Sequence, residues 1–102
     1  MFPNLFPRIA GTATERSARF AWDAGYDRDH PDRHILLTQV HYTGDRHRWI
    51  VQDAESTFVA VRDKDAEPGA RRTWFNDHAQ AARFFEELVQ KYQHDPAWRQ
   101  IG

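Results

Sequence analysis

The segment from residue 78 to 92 constrains the fold more than any other part of the chain. Ala81, Phe84, Phe85, Leu88, Val89 and Tyr92 fall at i, i+3, i+4, i+7, i+8 and i+11, one apolar stripe of an α-helix. Asp77 and Gln80 stand where a capping pair would satisfy the first orphan N–H groups. Glu86, Glu87, Gln90 and Lys91 lie largely off the stripe. Such a helix cannot stand alone in water; its stripe needs another layer to lie on.

The middle of the chain supplies that layer. "HILLTQVHY" is rich in β-formers and is bounded by Pro31 before and Gly44-Asp45 after, so it reads as a strand. "RWIVQD" and "TFVAVRD" follow with the short "AES" between them, which predicts an antiparallel hairpin. "KDAEPGA" is a loop turning at Pro68-Gly69, and "RRTWFN" is a shorter fourth strand. "DPAWRQ" reads as a last helical turn anchored by Trp98. Two readings compete for "TATERSARFAWDAG". Ala18, Phe20, Trp22, Ala24 and Tyr26 alternate as in a strand. Thr12 with Glu15 forms a capping box, however, and Gly25 is a left-handed stop, so a short N-terminal helix is preferred. Residues 1–11 form an apolar arm in which Pro3 and Pro7 oppose a regular helix. The expected architecture is one α+β domain over residues 1–102. It has a three- to four-stranded antiparallel sheet, the amphipathic C-terminal helix packed on one face, and the shorter N-terminal helix.

Charge and composition remove several function classes. Formal net charge is −1, with both signs interspersed, which fits neither a strongly basic nucleic-acid binder nor an acidic nucleic-acid mimic. There is no cysteine, so disulfides and thiolate metal sites are excluded and an intracellular, cytoplasmic setting is expected. No apolar run reaches the roughly 20 residues of a membrane span, and "MFPNLFPRIAG" lacks the basic opening of a signal peptide.

Motifs for chemistry are sparse. "YDRDHPDRH", residues 26–34, concentrates aspartate, histidine and arginine, but Pro31 interrupts the helical spacing of His30 and His34. The aspartates lack the pattern of a calcium loop, so turn chemistry is the better reading. His34, His41 and His47 would gather at one sheet end if a metal were held, yet no closing carboxylate is identifiable. Ser17 and Ser56 lack a nucleophile elbow, and no glycine-rich phosphate loop is present. A non-enzymatic protein without metal or cofactor is expected.

The expected order α-β-β-β-α resembles that of the double-stranded RNA-binding domain. "YTGDRHRWIVQD" is similar to that family's loop between its first two strands, where a histidine reaches the minor groove. The family grips phosphate with lysines at the start of its last helix; here that start reads "NDHAQAARFF", with Asp77 and no lysine.

What remains is an interaction module, such as an adaptor or an inhibitor that occludes a larger macromolecular complex. Interfaces favour Trp, Tyr, Phe and Arg, and arginine outnumbers lysine twelve to two. The candidate partner-binding residues are Trp49, Trp74, Arg48, Arg72, Arg46 and Arg71. A protein partner is expected, with a homodimer through an uncovered apolar sheet face as a close variant. The alternative is nucleic-acid binding through the same Arg/Trp patch on the sheet.

Overall fold

A computed structural model describes residues 8–23, 31–55 and 71–102. In chain order the elements are β1 (Ile9–Trp22), β2 (Arg33–Tyr42), β3 (Arg46–Glu55), β4 (Arg71–Phe75), α1 (His78–Gln93) and β5 (Trp98–Gln100). The strands form one antiparallel sheet in the order β4-β3-β2-β1-β5, and α1 packs on one of its faces.

The helix forms where its periodicity placed it. Asp77 is the N-cap, and its carboxylate accepts the Ala79 N–H at 3.0 Å. Ala81, Phe85 and Val89 are buried from one stripe. They pack on Ala18, Phe20, Ile35, Leu37 and Val51, with Trp49, Phe75, Phe84, Leu88, Tyr92 and Trp98 around the margin. The sheet residues in this core come from alternate positions of adjacent strands, as the two-residue period requires.

β2 and β3 pair over their full length, from Arg33↔Glu55 to Tyr42↔Arg46. The turn between them, Thr43–Asp45, places both Gly44 (φ 85) and Asp45 (φ 59) in the left-handed region. Glycine enters that region freely, and aspartate is among the few other residues that tolerate it. The predicted fourth strand is present as β4. The expected turn "AES" does not begin at Ala54: Ala54 and Glu55 are the last two residues of β3, paired with His34 and Arg33. "TFVAVRD", the loop "KDAEPGA", most of "YDRDHPDRH" and residues 1–7 of the arm lie outside the described residues.

Three expectations require correction. Residues 12–22 are not a helix; they belong to β1, which pairs with β2 from Ile9↔Tyr42 to Phe20↔Arg33. The pairing satisfies the β2-facing edge of the strand and buries Ala18 and Phe20 under α1, a larger gain than a capping box on an isolated turn offers. Ile9, Ala10 and Gly11 of the expected arm are part of the same strand. The C-terminal "DPAWRQ" is not a helical turn either. Trp98–Gln100 forms β5, whose Trp98 pairs with Trp22, and the Ala97 carbonyl accepts the Asp23 N–H at 2.7 Å. With a strand in place of the first helix, the described order is β-β-β-β-α-β, and the resemblance to the double-stranded RNA-binding domain loses its basis.

Glu15, read as half of a capping box, sits instead where the β1–β2 register shifts between Thr14 and Arg16. The irregularity re-aims its side chain, as bulges do. Its carboxylate meets His78 Nε2 at 2.8 Å, at the start of α1. The next residue, Arg16, lies over the Phe85 ring at 4.7 Å and pairs with Glu86. Two consecutive β1 residues therefore hold the helix from its side.

The face opposite α1 is not an uncovered apolar surface. Leu36, Val40, Ile50 and Ala54 alternate with the core residues and are buried, Val40 and Ile50 completely. Among the described residues the exposed large hydrophobic is Ile101. No described helix is long and apolar enough to cross a membrane.

The helix–sheet core yields a direct prediction. Phe85→Ala removes a ring that is 2% exposed and should lower unfolding stability by about 3–5 kcal/mol. Glu87→Ala, on the exposed side of α1, should change stability by less than about 0.5 kcal/mol. Urea unfolding of both variants checks this, and equal losses would contradict the packing.

Candidate functional site

β3 and β4 sort the candidate binding residues by parity. Trp49, Val51 and Asp53 project to the α1 side, while Arg46, Arg48, Ile50 and Gln52 project to the other. The β3–β4 register pairs Ile50 with Trp74 and Gln52 with Arg72, so Arg72 and Trp74 join Arg46 and Arg48 on the face away from the helix. There the Arg48 guanidinium lies 4.7 Å from the centroid of the Trp74 ring. Its Nε donates to Asn76 Oδ1 at 3.2 Å. The cation–π contact and the hydrogen bond together hold the guanidinium over the indole. Arg46 is exposed; Arg48, Arg72 and Trp74 are half-buried.

Trp49 and Arg71 do not belong to that group. Trp49 lines the core margin with its ring centroid 5.4 Å from that of His78. Arg71 is the β4 partner of Asp53 and opens onto the helix side. The six candidates thus divide between two faces.

On the helix side the structure assembles residues that the sequence reading did not connect. Asp53, only 7% exposed, is ringed by donors. Arg33 reaches its Oδ1 through Nε at 3.0 Å and through a second guanidinium nitrogen at 2.8 Å, and donates to its backbone carbonyl at 3.1 Å. The Tyr92 hydroxyl donates to Oδ2 at 2.7 Å. Burial pushes the Tyr92 phenol up to about 12, and donation to the Asp53 carboxylate adds to the effect. Each member sits on a different element, so the network ties β2, β3 and α1 together. Phe20 stacks on Tyr92 at 5.1 Å, and Trp98 meets it edge-on at 5.4 Å. Beside this network a cleft of about 900 Å³ runs between the C-terminal half of α1 and β3–β4. The signal available in the sequence was Asp53 as the one carboxylate in the predicted strand "RWIVQD"; its partners Arg33 and Tyr92 lie 20 and 39 residues away.

The histidines divide as well. His41 and His47 are cross-strand partners with ring centroids 4.3 Å apart. His34 lies at the other end of β2, paired with Ala54. Burial and then the nearby Arg19 charge lower the His34 pKa from its ordinary value. Among the described residues no group of three or more His, Cys, Asp or Glu side chains gathers to hold a metal ion.

Fold and surface together define a small α+β protein: one helix on an antiparallel sheet, an arginine–tryptophan surface on the far face and a polar cleft beside the helix. Comparison with protein-family models, curated proteins and solved structures gave no match.

Three outcomes follow from these side chains. The difference between phenolate absorbance titrations of the native protein and Tyr92→Phe should have its midpoint at about 12; a midpoint near the ordinary 10.0 would place the hydroxyl in water. Because the folded pKa is the higher, the Tyr92 contribution to stability is complete below pH 10 and disappears as pH rises through about 12. Asp53→Ala leaves the Arg33 guanidinium half-buried without its carboxylate and should cost about 3–5 kcal/mol of stability. His34 has the opposite sign. Its folded pKa is below 6.5, so its contribution is complete above pH 6.5 and is lost as pH falls through the folded value. The drop in melting temperature on acidification should be smaller in His34→Gln, and an unchanged drop would contradict the assigned burial.

Proposed function

We propose that this protein is a small non-enzymatic interaction module, an adaptor or an inhibitor that docks on a larger macromolecular complex and occludes part of its surface. The observation that carries this reading is the grouping of Arg46, Arg48, Arg72 and Trp74 on one face of β3–β4, with Arg48 stacked on Trp74. Tryptophan and arginine are the residue types most enriched among interface hot spots. An indole supplies area at little entropic cost, and a guanidinium held over it by Asn76 has its remaining donors in a fixed fork for carboxylates or backbone carbonyls.

Protein is favoured over nucleic acid because the net charge is −1 and the carboxylate of Asp77 caps the helix. A phosphate-tracking surface is normally part of a basic domain. The nucleic-acid alternative draws on the same guanidiniums and indole, which could track a backbone and stack on a base.

The experiment is capture from host lysate by the tagged full chain, followed by affinity measurement on the recovered partner. Trp74→Ala and Arg48→Glu should each weaken binding by about thirtyfold or more, the ~2 kcal/mol that marks a hot spot. Arg83→Glu, on the exposed side of α1, should leave affinity unchanged. Loss of binding in all three, or in none, contradicts the assigned surface. Binding to nucleic acid with a steep fall in affinity as salt rises would replace the reading with its alternative.

A further inference from the structure

The cleft beside α1 lies on the opposite side of the sheet from the arginine–tryptophan surface, and its chemistry is separate. We propose that it binds an organic monocarboxylate with an apolar body. At about 900 Å³ it falls within the size range of small-molecule sites, roughly 300–1,000 Å³. Val51, Phe84 and Leu88 give it apolar surface, and Thr73 adds a hydroxyl from β4. Besides the Arg33–Asp53 pair, positive charge comes from two walls: Arg71 on β4 and Lys91 on α1.

The Asp53 network makes those cations available. In the β3–β4 register Asp53 is the cross-strand partner of Arg71, the position from which a carboxylate would ordinarily neutralise it. Its Oδ1 is instead occupied by Arg33 and its Oδ2 by Tyr92. Among the described residues Arg71 and Lys91 make no ion pair. A carboxylate entering between the walls would meet two cationic donors and the Thr73 hydroxyl. Its hydrocarbon tail would lie against Phe84 and Leu88.

Two other lining residues set the ligand's charge. Glu55 and Asp95 are also in the cleft, and Asp95 is partly used by the Ala97 N–H, at 2.9 Å. A ligand with several negative charges, such as a polyphosphate, would face both carboxylates. A single carboxylate needs only the two cations, Arg71 and Lys91, to balance it. This argues for one charge on an apolar stem.

The test uses hexanoate as the probe, followed through backbone amide resonances of the full-length protein. Hexanamide, hexylamine and inorganic phosphate are the comparison ligands. Hexanoate should give saturable shifts at Thr73, Leu88 and Lys91, and the three others should bind at least tenfold more weakly. Arg71→Gln and Lys91→Gln should each weaken hexanoate about tenfold, as loss of one charge-assisted hydrogen bond does. Glu55→Gln should strengthen it. All three positions are on the cleft lining rather than in the buried core, and the amide spectrum reports directly whether each variant is folded. No saturable shift at these residues, or hexanamide or phosphate binding as tightly as hexanoate, would overturn the proposal. It stands or falls independently of partner docking, because Trp74→Ala should leave hexanoate affinity unchanged.

Discussion

The two-residue period of β3, locked in register with β2 and β4, is the constraint on which the other features depend. Trp49, Val51 and Asp53 face the helix; Arg46, Arg48 and Ile50 face away. A slip of one residue would exchange the two sets, placing Asp53 on the far face and Arg48 on the helix side. Burial makes the register specific, since Val51 and Ile50 on opposite faces are both almost wholly excluded from solvent. The turn adds to this. Left-handed Gly44 and Asp45 fix the point at which β2 becomes β3, and every later pairing follows from it.

Within that frame the most expensive feature is the buried carboxylate of Asp53. Removing a charge from water costs several kcal/mol unless it is paired and hydrogen-bonded. Here both oxygens are used, by Arg33 and Tyr92, so the charge is compensated rather than stranded. Replacement by apolar residues of matching shape can be as stable as such a pair, so stability alone does not account for it. What the network adds is position. It fixes the end of α1 over β2 and β3, and it leaves Arg71, the register partner of Asp53, facing the cleft without that counter-ion. Position of the helix and charge of the cleft therefore share one cause.

The helix was legible in the sequence because its signal is local: six apolar residues on one stripe and an aspartate at its cap. The strands of residues 34–42 and 71–76 were legible for the same reason, as β-rich runs between turn residues. The first strand was misread. Thr12 and Glu15 mimic a capping box, whereas the partner that makes residues 9–20 a strand lies across a connection beyond them in the chain. Alternation of Ala18, Phe20 and Trp22 did carry the right period, and tertiary pairing, not local propensity, decided the outcome. Trp98 was correctly marked as an anchor, but its strand exists only because Trp22 offers an edge. The candidate site was half legible. Residue types pointed to Arg48 and Trp74, yet only the register separates them from Trp49 and Arg71. The Asp53 network was hidden because its members are distant in sequence and meet only after the helix has docked.

The most direct test of this account is the pattern of nuclear Overhauser contacts from two indoles. Trp49 should show contacts to the His78 ring and none to the Arg48 side chain beyond its own neighbour backbone, while Trp74 should show contacts to the Arg48 side chain. Contacts from Trp74 to the Phe85 ring, or from Trp49 to Ile50-facing residues such as Val40, would mean that the strand parity is reversed. The sorting of arginines, the diverted carboxylate and the two proposed surfaces would then be lost at once.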